Sequence, residues 1–352
     1  MEALLLFPIL CALCSGWTRL FASSGMVTFW SGELGASLSL LFVLCGWRTA
    51  LLARHAGRSG LVLTRRASLA WLPLHLAVLG ISVCCALLFR RSGLSDLGSI
   101  PEVDFLSLTA NLCLVHGWFP ARAFLEFWNS ELWIFGVGAF WILCAPAVVV
   151  FLFRLLERGI SPFVLAMGLW SASLGLALVL FRILPTSILD VDTHAWFFRA
   201  FPPQRLWEFS FGALCRLSLD FSGRLAAWRG RMTEIVSILL LCLAMLLGHL
   251  ELGAFQAFWT VPAWGVLLIA LRQTGRCPPA WLRKIARVGI PILVLVGWTP
   301  WIAIVLHHAG LGLWFPTLYL ATTLGLCLLL HCLVVVPGRR LLERLWPLRW
   351  TD

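Results

Sequence analysis

Two stretches of this chain concentrate the side chains that could do chemistry. The first runs Asn111, His116-Gly-Trp118-Phe-Pro120 and continues through Arg122, Glu126, Asn129, Ser130 and Glu131. The second is Asp190-Val-Asp192-Thr-His194, followed by Arg199, Arg205 and Glu208. An imidazole titrates near neutrality, and a neighbouring carboxylate can orient it as a general base. His116 and His194 are therefore the candidate catalytic residues, with Asp190 and Asp192 as substrate contacts beside them. Asp-x-Asp-x-His also has the donors of a hard-cation site, but three donors on one loop do not define one, and no metal is assigned. Both stretches read more readily as solvated loops with ordinary polar residues.

Arg205-Leu-Trp-Glu208-Phe-Ser-Phe-Gly212 is more pointed, because its two charges enter an apolar run. Residues at i and i+3 share a helix face, so an inward-facing ion pair is expected. It would be either structural or substrate-facing. Other histidines carry less. His75, His249 and His331 each stand alone in or at the end of an apolar run, His307 and His308 close another, and His55 lies in a basic loop. Cys11 and Cys14 form a C-x-x-C without a nearby His or charge, and most of the 12 cysteines sit in apolar segments, where a thiol behaves as a small hydrophobe. No phosphate-binding Gly loop, nucleophile elbow or paired Cys/His metal spacing is present.

The elements that must position these groups are apolar runs too long for a soluble core: Leu34–Ala53, Ala67–Phe89, Leu132–Phe153, Pro162–Phe181, Glu234–Leu250, Ala254–Leu271, Val288–Leu306 and Leu311–Pro337. Residues are 61% hydrophobic and 12% charged, with a mean hydropathy of +0.92. A bilayer span takes about 20 apolar residues, so the expected fold is an all-α integral membrane protein. Leu4–Trp17 would be a retained first span and Leu206–Leu219 a further one, with Phe105–Phe119 not crossing. This gives about ten transmembrane helices in a single domain over residues 1–352, with both termini cytoplasmic. That threading leaves nineteen of the 27 basic residues on the inner side, as topogenesis requires. The formal charge of +11 is then explained by the membrane and calls for no nucleic acid. The 20 tryptophans cluster near span ends, the place of an interfacial belt rather than of a sugar platform.

Several segments, in order, resemble the acyltransferase-3 family of multi-pass membrane O-acyltransferases. Leu41-Phe-Val-Leu-Cys-Gly46-Trp is similar to its F-F-V-L-S-G-F, and Arg65-Arg66-Ala-Ser-Leu-Ala70-Trp-Leu-Pro73 to its R-R-x-x-R-x-x-P. Trp133-Ile-Phe-Gly-Val-Gly138 through Pro146 stands where the family has W-S-L-S-V-E, a helix and a proline. Arg205 to Gly212 matches R-L-x-E-F-x-x-G, and Pro337-Gly-Arg339-Arg340 resembles the closing E-x-P-x-x-R. The resemblance implies transfer of acetyl or another acyl group to a hydroxyl of a cell-envelope or exported polysaccharide. It further implies acyl-CoA as donor substrate rather than a bound cofactor, with Arg65 and Arg66 facing the donor and Trp133, Arg205 and Glu208 facing the substrate. Partners would be the lipid bilayer, a glycan or lipid-linked sugar and other polysaccharide-assembly proteins, in a bacterial cytoplasmic membrane. The Arg-rich, almost Lys-free style, 26 to one, also points to a bacterium.

The departures are as specific as the matches. The family's first-helix Arg and His have no counterpart between Met1 and Trp17. Its Glu after the tryptophan falls on Gly138, its third arginine on Ala70, and its Tyr- and His-bearing segment reads Ile292-Leu-Val-Leu-Val-Gly-Trp-Thr-Pro300. Three functions stay open: an acyltransferase using relocated bases, a non-catalytic relative supporting envelope-glycan assembly, and a glycan translocator.

Overall fold

The structure is a computed structural model that describes residues 24–55, 72–84, 87, 105–121, 132–188, 191–221, 239, 255–273 and 315–345. These are mostly helical: α1 (Ser24–His55), α2 (Leu72–Cys84), α3 (Phe105–Leu112), α4 (Trp133–Glu157), α5 (Pro162–Ile183), α6 (Thr193–Arg199), α7 (Pro202–Phe221), α8 (Gln256–Gln273), α9 (Phe315–Leu330) and α10 (Val336–Leu345). The expectation of an all-helical chain is modified in one place. A two-stranded antiparallel ribbon, β1 (Ser187–Ile188) with β2 (Val191–Asp192), pairs Ser187 with Asp192 and Ile188 with Val191.

Three helical runs among the described residues are long and apolar enough to cross a membrane: Trp133–Glu157, Pro162–Ile183 and Ala321–Leu341. At 1.5 Å per residue α3 spans only about 12 Å, far short of a bilayer core of about 30 Å. The expected spans Leu4–Trp17 and Val288–Leu306, and all of Glu234–Leu250 except Leu239, lie outside the described residues.

Helix α7 is the hub. It packs against α1, α4, α5 and α8, and most of its side chains from Pro202 to Ser218 are buried on every face. Helix α4 buries one stripe: Val137, Trp141, Ala145, Val149, Leu152 and Leu156 recur at three- and four-residue steps against α1 and α7. By contrast, α5 is apolar all round yet buries only Ala177 fully, the pattern of a helix solvated by lipid. The α4–α5 turn is built from local chemistry. Gly159 takes φ +80°, Ile160 N–H donates to the Leu155 carbonyl, and Ser161 caps α5 by accepting from Phe163 N–H at 3.3 Å, with Pro162 in the first turn.

Two glycines lock α1 to α7. A Cβ on Gly46 would collide with the Phe209 carbonyl, and one on Gly212 with the Val43 carbonyl. The two backbones therefore touch reciprocally at one crossing, the use to which membrane helices put small residues. Near the other end of the chain, a Cβ on Gly338 would stand 2.8 Å from Pro73 Cβ, so α10 meets the start of α2. Between α9 and α10 the helix widens to a π turn over His331–Val335. Pro337 accounts for this, since its ring would strike the carbonyl four residues back and it brings no N–H to the ladder.

Candidate functional site

The buried ion pair sits on α7. Arg205 donates from Nη1 to Glu208 Oε1, and the residues are 6% and 1% exposed. The guanidinium carbon lies 5.7 Å from the centroid of the Phe42 ring on α1. Phe42 stacks on Phe209 at 4.8 Å and meets Trp133 edge-on at 6.3 Å, while Phe209 stacks on Trp141 at 4.9 Å. Trp141 Nε1 reaches the Thr49 hydroxyl at 3.2 Å. Three sequence-predicted residues, Arg205, Glu208 and Trp133, thus share one buried aromatic cluster. Glu208 Oε2 makes no hydrogen bond; the Ser39 hydroxyl is its polar neighbour but stands outside bonding geometry. A carboxylate this deep is held by its arginine and little else, an arrangement that depends on both partners.

A second polar cluster lies on the other side of the first turns of α4. Its origin is the end of α3, where Leu114 adopts φ +60°. Val115 N–H bonds the Ala110 carbonyl at 2.9 Å and Leu114 N–H the Asn111 carbonyl at 3.1 Å, the paired bonds of a Schellman cap with leucine in the left-handed position usually given to glycine. That conformation costs a non-glycine residue about 1 kcal/mol or more. The turn it makes delivers His116, at the head of the 3-10 turn His116–Trp118, into the interior, where it is fully buried. The small size of Gly136 on α4 gives it room: a Cβ there would lie 2.9 Å from the Leu114 carbonyl oxygen and 3.6 Å from His116 Cε1.

Neither ring nitrogen of His116 has a hydrogen-bond partner; the main chain at Ala110 and Leu132 flanks the ring outside normal geometry. Burial is the main reason its pKa falls to about 4, with His75 beside it the next. At neutral pH His116 is an uncharged imidazole. His75 on α2, expected to be an isolated histidine, belongs to the same cluster. Its Nε2 donates to the Asn111 carbonyl at 2.9 Å and its ring lies 5.0 Å from that of Phe135. Asn111 in turn donates from Nδ2 to the Ser107 carbonyl at 2.9 Å.

His194 is placed differently. It stacks on Phe181 at 4.2 Å, and its Nε2 donates to the Phe181 carbonyl at 3.1 Å. Asp192 Oδ1 accepts from the main-chain N–H of His194 at 2.9 Å, capping α6. The two stretches picked out by the sequence nevertheless meet, because Trp196 Nε1 donates to the Gly117 carbonyl at 3.0 Å and Gly117 lies against the Ala200 carbonyl. Asp190, Arg65 and Arg66 lie outside the described residues.

A groove of about 400 Å³ opens beside the histidine cluster, lined by Leu72, His75, Val115, Phe135, Ala139 and Leu143 among others. Among the described residues no group of three His, Cys, Asp or Glu side chains comes together to hold a metal ion. Neither a family model nor a curated protein nor a solved structure matches this chain.

Proposed function

We propose that the protein is a membrane O-acyltransferase that moves an acyl group from acyl-CoA to a hydroxyl of a cell-envelope or exported polysaccharide. In this reading it has ten spans in a bacterial cytoplasmic membrane, with both termini inside. The basic inner loop bearing Arg65 and Arg66 meets the donor, since guanidinium matches phosphate geometry. The acceptor, a glycan or lipid-linked sugar, enters from the outer side, where other polysaccharide-assembly proteins would present it. A neutral His116, or His194, accepts the hydroxyl proton as the oxygen attacks the thioester carbonyl; the tetrahedral adduct then collapses with cleavage of the C–S bond, and the departing thiolate of coenzyme A takes the proton back from the imidazolium. Arg205, Glu208 and Trp133 orient the acceptor.

One observation supports this reading above others. The segments that carry the family resemblance meet in space: Gly46 with the Phe209–Gly212 turn, Phe42 with Trp133, and Pro73 with Gly338.

A specific observation also favours a second reading, a non-catalytic relative that supports glycan assembly: both ring nitrogens of the buried His116 lack a hydrogen-bond partner. The deciding experiment is the acyl content of the exported polysaccharide, by NMR, in a deletion strain complemented with wild type, His116→Ala or His194→Ala. Loss in the deletion, restored by wild type but not by one of the variants, is the expected result. Unchanged acylation without the gene overturns it in favour of the non-catalytic relative or a translocator.

A further inference from the structure

The last membrane-length run ends in charge. Ala321–Leu341 is 21 residues long, about 30 Å of helix, which matches the hydrocarbon thickness of a bilayer. Laid across a bilayer, its end stands at headgroup level. Arg340 falls in the last turn of the run, and Arg344 lies three residues past Leu341, about 4.5 Å further along the axis.

The packing of α10 decides which way these two arginines face. Gly338 is pressed against Pro73 at the start of α2. Arg340 and Arg344, two and six residues on, sit about 200° and 240° around the helix from that contact, on the side away from α2. Both are exposed. The exposure continues down the run through Pro337, Leu333 at 65% and Leu329 at 54%. The neighbouring Arg339 is already paired with Glu343 at 2.9 Å, whereas among the described residues no carboxylate pairs with Arg340 or Arg344. One side of the helix thus sets two cations at headgroup level above an apolar strip. A phospholipid with net negative charge has the complementary layout, an anion above and hydrocarbon below. Guanidinium forks match phosphate oxygens in geometry as well as in charge.

We infer that this side of α9 and α10 is a site for an anionic phospholipid, its phosphate held between Arg340 and Arg344 and its chains laid along Leu333 and Leu329. The inference rests on Ala321–Leu341 crossing the membrane, one part of the reading above, and is independent of acyl transfer.

The test is native mass spectrometry of the purified full-length protein, released from micelles holding equal amounts of phosphatidylglycerol and phosphatidylcholine with the same chains. Wild type should retain phosphatidylglycerol in preference. Arg340→Gln or Arg344→Gln should each lower that preference about fivefold, and the double variant more. Arg182→Gln, which removes an exposed arginine at the end of α5, should leave it unchanged. Arg344 lies beyond the run, so Arg344→Gln decides if the double variant inserts poorly. Cys332, exposed midway along the run, checks the crossing: in nanodiscs it should resist a membrane-impermeant maleimide. No preference in wild type, equal preference in wild type and Arg344→Gln, an equal loss in Arg182→Gln, or displacement of the lipid by millimolar inorganic phosphate would overturn the lipid site. Modification of Cys332 would overturn it at its foundation, by showing that the run does not cross.

Discussion

Gly46 and Gly212 make one reciprocal contact: each is pressed against the main chain of the helix that carries the other. Neither position has space for a methyl group, so the α1–α7 interface is set by the absence of two side chains. Gly46→Ala or Gly212→Ala must force the backbones apart, stripping contacts from Phe42 and Phe209 at the same crossing. The expected loss is about 3 kcal/mol or more for either substitution, read as a lower thermal midpoint and poor monodispersity in detergent. Gly168→Ala on α5, where a Cβ would meet nothing, should leave both unchanged.

The Arg205–Glu208 pair makes a sharper prediction because it is buried in an aromatic cluster. Removing one partner leaves an unpaired charge, so Arg205→Met or Glu208→Leu should each cost about 3–5 kcal/mol. Removing both together should cost much less than the sum of the two. A double-mutant cycle on thermal stability reads the coupling directly. If the double variant is fully stable yet inactive, the pair serves the substrate rather than the fold.

His116 gives the protein a pH dependence of known sign. Its folded-state pKa is depressed to about 4 by burial, below the ordinary histidine value of 6.5. Stability from keeping it neutral is therefore fully present above about 6.5 and declines as pH falls toward 4. The decline should reach roughly 3 kcal/mol at the acid end. His116→Phe should flatten this part of the stability–pH curve, as measured by thermal unfolding between these limits.

Trp196 ties α6 to the turn that holds His116. Trp196→Phe deletes the donor together with part of the aromatic surface packed on the core, at an expected cost of about 1–3 kcal/mol. The local signature should be faster hydrogen exchange in residues 115–119, with α4 unaffected.

How much of this was legible in the sequence depends on the range of the interaction. The apolar runs around α1, α4, α5 and α8 follow from composition and length, and the Arg205–Glu208 pair from a spacing of three on one helix. The short reach of α3 agrees with a Phe105–Phe119 segment that does not cross. The histidine cluster was not legible. His75 and Asn111 are far apart in sequence, and what joins them is a leucine in a left-handed cap, a conformation that residue type argues against. Asp192 illustrates the converse. Its spacing before His194 suggests a carboxylate serving an imidazole, and the same spacing suits an N-cap, the role in which its Oδ1 accepts from His194 N–H. A signal for Gly46 and Gly212 was present in the motifs that contain them, but only the crossing shows that they face each other's helix.

Acyl transfer to an exported glycan is read out by the NMR acyl signal of that polysaccharide with and without the gene. With the proposed transfer operating, the signal is lost in the deletion, returns with wild type, and fails to return with whichever of His116→Ala or His194→Ala removes the base. A polysaccharide acylated to the same extent in the deletion strain would contradict it.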